Sequence, residues 1–296
     1  MKKKMGEYRS NAYESFAQIQ NFDLSKYSSI GIGKKAELVF CPQSVAECVT
    51  LLQRLQKDTL PYCVLGNLTN VLPPDEPMQK AIVLTKNLNG IKKTDKGVFA
   101  YAGVKSGEVL RFCRQNEYSG MEFLQGVPCT LGGALFMNAG VSGRYMDDVV
   151  DEVFVYRDGK TRTLSKTECQ YSYKKSVFMR NQDVILGASL RLQKATVEEI
   201  NAKEKAYACK RAHLPKGRSM GCVFKNPEGY TAGVLIEKCG LKGKRVGGAV
   251  VAQEHANFIL NDNGATCRDV QTLMEIIKQA VLEKFGVSLE EEIRRI

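Results

Sequence analysis

A chain of 296 residues is longer than one average globular core, so its length predicts two domains. Hydrophobic residues make up 44% and charged residues 25%, and no apolar run approaches the ~18–20 residues of a membrane span, which argues against a membrane partner. The net charge of +11 comes from lysines spread along the chain without interleaved aromatic residues, so we expect no nucleic-acid partner.

The N-terminus, MKKKMGEYRS, is basic, and no apolar segment of a signal peptide follows it. Ten cysteines are scattered without a CxxC pair, which indicates reduced, mostly buried thiols rather than a disulfide framework or a zinc cluster. With only two histidines and no carboxylates at ligand spacing, we expect no metal site. The missing signal segment and the reduced thiols favour a cytoplasmic protein.

Short apolar runs, several of them alternating with polar residues, predict six strands in a mixed α/β chain. They are ELVF at 37–40, YCVLG at 62–66, AIVLT at 81–85, VFAYAG at 98–103, EVFVYR at 152–157 and VILGASLRL at 184–192. A helix between the first two has Ser44 as its N-cap and Glu47 as the partner in a capping box. Its apolar face carries Val45, Cys48, Leu52 and Leu55. A second helix is predicted around 107–116.

The last third of the chain is predicted to begin with a connecting helix over the polar stretch 196–211, which puts a domain boundary near 195–205. An amphipathic helix is predicted to open at Thr266, with Asp269 at its third position, and to stop at Gly286. The apolar residues expected to be buried along it are Val270, Leu273, Met274, Ile277 and Val281.

Residues 122–140, EFLQGVPCTLGGALFMNAG, are dense in glycine and small residues. Such a backbone can bend sharply and can let a ligand approach its N–H groups. Segments of this kind serve either an anionic cofactor or a tight packing contact, and glycine-rich turns alone do not distinguish the two. Three distant segments strengthen the first interpretation: CQYSYKKSVF at 169–178, GCVFKNP at 221–227 and the acidic LEEEI near the C-terminus.

With these segments in order, the chain resembles the UDP-N-acetylenolpyruvoylglucosamine reductases (MurB) from Tyr27 to Ile296. The family motifs match at Gly120–Gly140, Cys169–Phe178, Gly221–Pro227, Ala232–Asn261 and Leu289–Ile293. The HANF segment at 255–258 resembles the shorter class of these enzymes. Five motifs at compatible spacing make a chance match very improbable.

The resemblance implies an α+β fold with two domains and an extension. An N-terminal extension would span 1–25, and an FAD-binding domain of the vanillyl-alcohol-oxidase (PCMH) type would span 26–195. A smaller α/β domain of the MurB C-terminal type, which binds substrate, would span 200–296. The oligomeric state is left open, with a monomer favoured.

The resemblance also implies a reaction of bacterial cell-wall synthesis. NADPH reduces non-covalently bound FAD, and the flavin passes hydride to the enolpyruvyl double bond of a UDP-sugar, giving UDP-N-acetylmuramate. The partners expected are therefore FAD, NADPH and the UDP-sugar. The hydride chemistry belongs to the flavin, while the protein supplies position and charge.

Three residues are implied as catalytic. The enolate needs positive charge or hydrogen bonds, and Lys174 stands where the family's YRxS motif has arginine, keeping the charge without the planar fork. Cys222 stands at the proton donor of G-[SC]-x-F, because a thiol with a pKa of about 8.5 is mostly protonated at pH 7. Glu292 is the second glutamate of LExE; its neighbours Glu290 and Glu291 are otherwise a solvated acidic end.

The residues matching the family's cofactor loops form two groups. They are Gly66, Asn67, Thr69 and Asn70 in the first loop, and Gly126, Pro128, Thr130, Gly132, Gly133, Asn138 and Ala139 in the glycine-rich segment. Polar residues that align near the substrate are Tyr173, Lys225, Asn226 and Glu237. Lys225 either meets an anionic group of the UDP-sugar or is an ordinary exposed lysine. His255 and Asn257 lie in an apolar run, where a structural histidine is favoured over a catalytic one, and His213 is interpreted as a connector.

Several positions depart from the family pattern. Leu68 replaces a glycine of LGxGSNxL and is strained if the position requires a positive φ, and Pro73 and Pro74 follow that loop. Lys34 and Cys129 replace glycines of the IGG and PGT turns. Two interpretations therefore stay open beside a reductase of another substrate. The chain is an active but divergent reductase, or it is a non-catalytic homologue that binds a nucleotide-sugar or a protein partner with weakened or lost FAD binding.

Overall fold

The computed structural model describes residues 13–181 and 183–296, which form both α-helices and β-strands. The helices are α1 (Leu24–Tyr27), α2 (Val45–Lys57), α3 (Ser106–Gln115), α4 (Leu131–Met137), α5 (Val197–Arg211), α6 (Ala232–Lys238) and α7 (Cys267–Phe285). No helix in this part of the chain combines the length and the apolar character that crossing a membrane requires.

The strands are mostly short and are spread over the whole described chain. In chain order they are β1 (Phe22–Asp23), β2 (Lys35–Ala36), β3 (Val39–Phe40), β4 (Tyr62–Leu65), β5 (Val71–Leu72), β6 (Ala81–Leu84), β7 (Ile91–Thr94), β8 (Gly97–Tyr101), β9 (Tyr118–Ser119), β10 (Gly140–Val141), β11 (Arg144–Tyr145), β12 (Val150–Arg157), β13 (Lys160–Ser165), β14 (Val184–Arg191), β15 (Gln193–Lys194), β16 (Ser219–Cys222), β17 (Arg245–Val246), β18 (Ala249–Val251), β19 (Phe258–Asn261) and β20 (Arg294–Arg295).

The described residues divide into two compact units that share the chain in alternating pieces. The first unit contains residues 13–20, Leu38–Asn67 and Gln79–Ala212, and the second contains Asn21–Glu37, Leu68–Met78 and His213–Ile296. The contiguous ranges 26–195 and 200–296 therefore do not coincide with these units. Of the expected extension 1–25, residues 1–12 lie outside the described part, and buried Tyr13 packs in the core of the first unit.

The first unit is built around a five-stranded antiparallel sheet in the order β13–β12–β14–β8–β7. Alternate residues of β12 serve two separate cores, since Val153 and Val155 join one and Tyr156 joins the other. The second of these cores also includes a parallel sheet in the order β3–β6–β4 and the buried face of α2. A strand with apolar residues on both faces is what burial on both sides requires.

Helix α5 belongs to the first unit rather than linking two domains. Arg114 Nη1 of α3 and Glu204 Oε2 of α5 form an ion pair at 2.6 Å, and Lys203 donates to Ser119 Oγ at 2.8 Å. The division between the units therefore falls at Ala212/His213, beyond the boundary expected near 195–205. The polar composition of the helix, which favours a connector, reflects this ion pair and this hydrogen bond as well as exposure.

The second unit packs α6 and α7 with an antiparallel sheet in the order β16–β19–β18–β17. Two N-terminal pieces of chain complete it: β1 pairs with β2, and β5 pairs in parallel with the C-terminal β20. Helix α7 begins with a full capping box between Thr266 and Asp269 and ends at Gly286, which has φ of +67°. All five apolar residues expected to be buried along this helix are buried.

The predicted secondary structure is confirmed with two adjustments. All six strands are present, although the first is only Val39–Phe40. Helix α2 has Ser44 as its N-cap, with Ser44 Oγ accepting from Glu47 N at 3.1 Å. The reciprocal half of the predicted capping box is wrong, because the Glu47 carboxylate accepts from the backbone N–H groups of Ala17 and Gln43 instead.

Candidate active site

The start of α4 in the first unit is closely packed against the end of β8. Gly132 N donates to Ala102 O at 2.8 Å, and Leu131 N donates to Val104 O at 2.8 Å. A Cβ on Gly132 would lie 3.0 Å from the Ala102 Cβ. Gly133 N donates to Oγ1 of the N-cap Thr130 at 3.3 Å. These N–H groups thus have protein acceptors, so close packing accounts for Gly132, and its role at a cofactor remains a prediction.

Two segments predicted to hold a cofactor meet in the same unit. A Cβ added to Gly66 would collide with Thr130 Oγ1, and the Asn67 side chain donates Nδ2 to Pro128 O at 3.0 Å. No backbone hydrogen bond found among residues 13–181 and 183–296 uses the N–H of Gly66 or of Asn67. We call these contacting residues, Gly66, Asn67, Pro128 and Thr130, the cradle. It has no room for a side chain at position 66, and the N–H groups of Gly66 and Asn67 have no acceptor among the described residues.

Arg211, which sequence patterns did not single out, brings positive charge to this cradle. Its Nε would lie 3.4 Å from a Cβ on Gly126, a residue with φ of +74°. Burial raises the pKa of the nearby Cys129 thiol to about 11, while a hydrogen bond from Ser106 and the charges of Arg211 and Lys174 act in the opposite direction. The only sequence signal for Arg211 was its place in the basic last turn of α5, which is a common feature of helix ends.

Lys174 lies in a tight turn at 172–175 of the first unit. Ser172 and Lys175 exchange backbone hydrogen bonds of 3.1 and 3.0 Å, and Lys174 between them has φ of +53°. The Asn138 side chain, 2% exposed, donates Nδ2 to Ser172 O at 3.0 Å and accepts from Asp147 N at 3.0 Å. The turn is therefore held to the left-handed end of α4. Tyr173 is 39% exposed and packs edge-on to Tyr145.

The three residues predicted to replace family glycines differ in their backbone conformation. Leu68, in the second unit, has φ of +50° and is buried, so this position does lie in the left-handed region and the leucine is strained there. Lys34 and Cys129 do not have a positive φ, so their replacement of glycine carries no such strain. Pro73 is buried, and a Cβ added to Gly33 would lie 3.0 Å from the Pro73 Cβ.

In the second unit, the segment after Cys222 runs antiparallel to the C-terminal acidic motif. Glu292 N donates to Val223 O at 2.8 Å, and Lys225 N donates to Glu290 O at 2.9 Å. Phe224 and Glu291 lie opposite each other between these two bonds. Glu292, predicted as catalytic, thus pairs with Val223, the residue that directly follows the other predicted catalytic residue, Cys222. Lys174 belongs to the other unit, so the second unit by itself assembles two of the three predicted catalytic residues.

The glutamates beside Glu292 form ion pairs. Lys225 Nζ lies 2.7 Å from Glu290 Oε1, and Lys278 Nζ lies 2.7 Å from Glu291 Oε1. Burial raises the pKa of Glu291, but hydrogen bonds from Lys278 and Arg295 lower it by more, so the net shift is downward. Glu290 is exposed, as expected of a solvated acidic end, whereas Glu291 is half-buried and paired, so that interpretation is wrong for Glu291. Lys225 is 8% exposed, so its interpretation as an ordinary exposed lysine is wrong too.

The remaining polar residues singled out in this unit have structural contacts. Asn226 Oδ1 accepts from Ala232 N at the start of α6 at 3.0 Å, and Glu237 pairs with Lys242 at 2.7 Å. His255 Nδ1 accepts from Asn257 N at 3.2 Å. Burial lowers the pKa of His255, and the charge of His213 lowers it further. These contacts support the structural interpretation of His255.

The described residues thus offer a thiol and a carboxylate on one ladder, and a lysine in a constrained turn near a glycine-lined cradle. This is the chemistry of proton donation and of anion stabilisation. Among residues 13–181 and 183–296, no group of three His, Cys, Asp or Glu side chains is placed to hold a metal ion.

Comparisons with known proteins agree on both halves of the chain. A family model described as the UDP-N-acetylenolpyruvoylglucosamine reductase C-terminal domain matches residues 213–296, and one described as an FAD binding domain matches 36–165. The chain is 38% identical to a UDP-N-acetylenolpyruvoylglucosamine reductase of Shouchella clausii over 91% of this chain and 88% of that protein. It is 36% identical to one of Caldanaerobacter subterraneus over 93% and 92%.

A solved structure shows the same likeness in three dimensions. The crystal structure of the UDP-N-acetylenolpyruvylglucosamine reductase MurB from Thermus caldophilus superposes with a TM-score of 0.81 at 32% identity, covering 95% of this chain and 98% of that one. The expected fold class is thereby confirmed: α+β, with an FAD-binding domain of the PCMH type and a smaller MurB C-terminal domain.

Proposed function

Since the chain belongs to the UDP-N-acetylenolpyruvoylglucosamine reductase family, we propose that it reduces UDP-N-acetylglucosamine enolpyruvate to UDP-N-acetylmuramate in cell-wall precursor synthesis. FAD, when bound without a covalent link, supplies the hydride that NADPH provides. The observation that carries the proposal is the ladder joining Val223 to Glu292, because it brings the C-terminal acidic motif directly beside the residue that follows Cys222.

The residues of the first unit fit a flavin nucleotide. The collision that a side chain at Gly66 would make with Thr130 indicates a site built for close approach to the backbone. The N–H groups of Gly66 and Asn67 supply donors suited to a phosphate, and Arg211 adds positive charge beside Gly126. Thr69 and Asn70 follow in the chain but belong to the second unit, and their cofactor role is proposed from the family motif alone.

Lys174 would stabilise the negative charge that develops when hydride adds to the enolpyruvyl double bond. Its ammonium is a compact point charge. The backbone that carries it is a turn closed by two hydrogen bonds. A fixed cation costs no reorganisation as the enolate forms, which is the main source of electrostatic stabilisation in enzymes. Tyr173, exposed in the same turn, is placed to contact the substrate.

Cys222 would transfer its Sγ proton to the enolate carbon, forming the new C–H bond, and the resulting thiolate would regain a proton from water. Glu292, whose backbone bonds to Val223 next to Cys222, would orient the substrate and stabilise the cysteine during this transfer. Lys225 lies two residues after Val223 in the chain. Its buried ammonium, paired with Glu290, would bind an anionic group of the UDP-sugar. Asn226 and Glu237 lie nearby in the sequence and are proposed to line the same substrate.

The proposal is tested by separating the two half-reactions. Purified protein is reconstituted with FAD, and the flavin absorbance is followed anaerobically by stopped flow, first with NADPH and then with the enolpyruvyl UDP-sugar. We expect bleaching by NADPH and recovery with the enolpyruvyl substrate, but no recovery with UDP-N-acetylglucosamine, which lacks the double bond. A colourless protein that takes up no FAD would contradict the proposal and favour a non-catalytic homologue.

A further inference from the structure

We infer that three asparagines, Asn70, Asn138 and Asn257, are positioning residues that each hold the backbone next to one of the three proposed catalytic side chains. Each donates its amide Nδ2 to a backbone carbonyl in the segment that carries Glu292, Lys174 or Cys222, respectively. Each of these contacts lies within a single unit. The inference rests on the proposed function, since it concerns how those side chains are held for the same reaction.

Asn257 makes the most complete of these contacts. Its Oδ1 accepts from Phe224 N at 2.9 Å, and its Nδ2 donates to Phe224 O at 2.8 Å. Its own carbonyl accepts from Val223 N at 2.8 Å, so three hydrogen bonds hold the two residues that follow Cys222. Asn257 is 3% exposed, and a buried amide with both ends bonded is costly to disturb.

Asn138 holds the turn that carries Lys174. Besides its bond to Ser172 O, its Oδ1 accepts from Asp147 N at 3.0 Å, so both ends of a buried amide are again used. Asn138 has φ of +43°, a conformation that asparagine tolerates better than most residues, so the side chain reaches the turn from the left-handed end of α4. The family resemblance implies a cofactor role for Asn138, but its amide is engaged with the backbone of the turn.

Asn70 holds the C-terminal segment in the second unit. Its Nδ2 donates to Glu292 O at 3.2 Å, and its carbonyl accepts from Arg294 N at 2.9 Å. The contact extends the parallel pairing of β5 with β20 to the residue that bears the proposed catalytic carboxylate. Asn70 therefore has a direct contact with the backbone of Glu292, in addition to the cofactor role that the family motif implies.

A change from asparagine to aspartate tests these contacts with little change in size. The carboxylate keeps an acceptor but cannot donate, and it places a negative oxygen against a carbonyl oxygen. Such a change is expected to shift the backbone by a fraction of an ångström, and misplacements of about 1 Å cost catalysis about a hundredfold. Because the shift falls on the groups that handle the enolate, it should slow reoxidation of the flavin by the substrate and spare its reduction by NADPH.

The experiment measures both half-reactions and bound FAD in Asn70→Asp, Asn138→Asp and Asn257→Asp. Asn116→Asp and Asn261→Asp are matched controls, since each of these asparagines also donates to a backbone carbonyl, of Phe112 and of Ile30, away from the proposed catalytic residues. We expect each of the three variants, measured at saturating FAD, to slow reoxidation at least tenfold while NADPH-driven reduction stays within threefold of the parent. FAD content should also stay within threefold in Asn257→Asp, because no cofactor role is predicted for Asn257. The two controls should stay within threefold in every measurement.

A double-variant comparison separates positioning from a general loss of structure. In Lys174→Ala, adding Asn138→Asp should slow reoxidation less than threefold further, whereas in Cys222→Ala it should retain its tenfold effect. Equal losses in both backgrounds, losses as large in the controls, or reoxidation at the parental rate would overturn the inference. Asn70 is only half-buried. If a variant of a buried asparagine does not accumulate as folded protein, the same double-variant comparison is made with Asn70→Asp in the Glu292→Gln background. Failure of the parent itself to reoxidise with the substrate would instead contradict the proposed function.

Discussion

Glu292 donates its backbone N–H at 2.8 Å to the carbonyl of Val223, the residue directly after Cys222. This one bond explains why an acidic motif at the C-terminus and a cysteine motif far upstream can serve one reaction. The ladder also has ion pairs at its edge, from Lys225 to Glu290 and from Lys278 to Glu291. The local backbone beside Cys222 and Glu292 is thus held by hydrogen bonds and by charges.

Cys222→Ala is expected to leave NADPH-driven flavin reduction unchanged and to slow flavin reoxidation by the enolpyruvyl substrate about 10²- to 10⁴-fold, the range for loss of a general acid. Cys222→Ser should keep much of the activity, because a hydroxyl can also donate a proton. Stopped-flow absorbance of the flavin measures both steps. Cys239→Ala, a half-buried cysteine of the same unit, is the matched control and should match the parent. Reoxidation of Cys222→Ala at the parental rate would remove the thiol from the mechanism.

Lys174→Arg is expected to preserve or raise the rate of flavin reoxidation, because a guanidinium fork binds a carboxylate-bearing enolate at two points. Lys174→Ala should slow the same step about a hundredfold, the scale of losing one charge-stabilising group. Neither change alters the backbone cost of the positive φ at this position, since all three residues carry a Cβ. Lys175→Ala, in the same turn, controls for a general loss of charge and should stay within threefold.

Glu291→Gln is expected to lower stability at pH 7 by about 1 kcal/mol, because the ion pairs with Lys278 and Arg295 lose their anion. The pKa of Glu291 is lowered on folding, so its contribution is present above the unfolded pKa of about 4.3 and is lost as pH falls through the folded value. Urea unfolding should therefore show a larger difference between parent and variant at pH 7 than at pH 3. An equal difference at both pH values would mean that the carboxylate charge is not responsible.

Gly66→Ala is expected to weaken FAD binding at least tenfold, because the added Cβ collides with Thr130 and pushes the two segments of the cradle apart. Gly107→Ala is the matched control in the same unit, since a Cβ there meets nothing within 4 Å and alanine favours the helix. Fluorescence titration of the apoprotein with FAD measures both affinities. Parental affinity in Gly66→Ala would place the cofactor elsewhere.

Local features of the fold could be predicted from the sequence, because their causes are local. Thr266, Asp269 and Gly286 mark both ends of α7 within a few residues of chain. The interleaving of the two units could not be predicted in this way, since it depends on pairs such as Val71 with Arg294, whose short strands have no distinctive pattern. Helix α5 was assigned to a connector for the same reason, because polarity alone does not show the ion pair that Glu204 makes.

The same distinction, between local patterns and contacts of distant segments, separates the parts of the candidate site that could be predicted from those that could not. Motifs predicted Cys222 and Glu292 as reacting groups, because such groups have a characteristic residue type at a fixed spacing. They did not identify Arg211, which lies beside Gly126 only through the packing of α5 on the first unit. Nor could a motif show that both ends of the Asn257 amide hydrogen-bond to the backbone of Phe224, since that contact joins two segments of the folded chain.

Leu68 is a leucine in the left-handed region, at a position where the family motif predicts glycine. Its φ of +50° costs an L-residue about 1–2 kcal/mol, yet its side chain is buried, and removing a buried leucine side chain costs about 2–5 kcal/mol. Restoring glycine is therefore expected to destabilise the protein, because the loss of burial exceeds the relief of strain. Leu68→Ala should be worse than Leu68→Gly by about 1 kcal/mol, since alanine loses the burial and keeps the strain. Urea unfolding should thus rank the parent above Leu68→Gly and Leu68→Gly above Leu68→Ala, and the reverse order of the two variants would show that residue 68 does not occupy the left-handed conformation in solution.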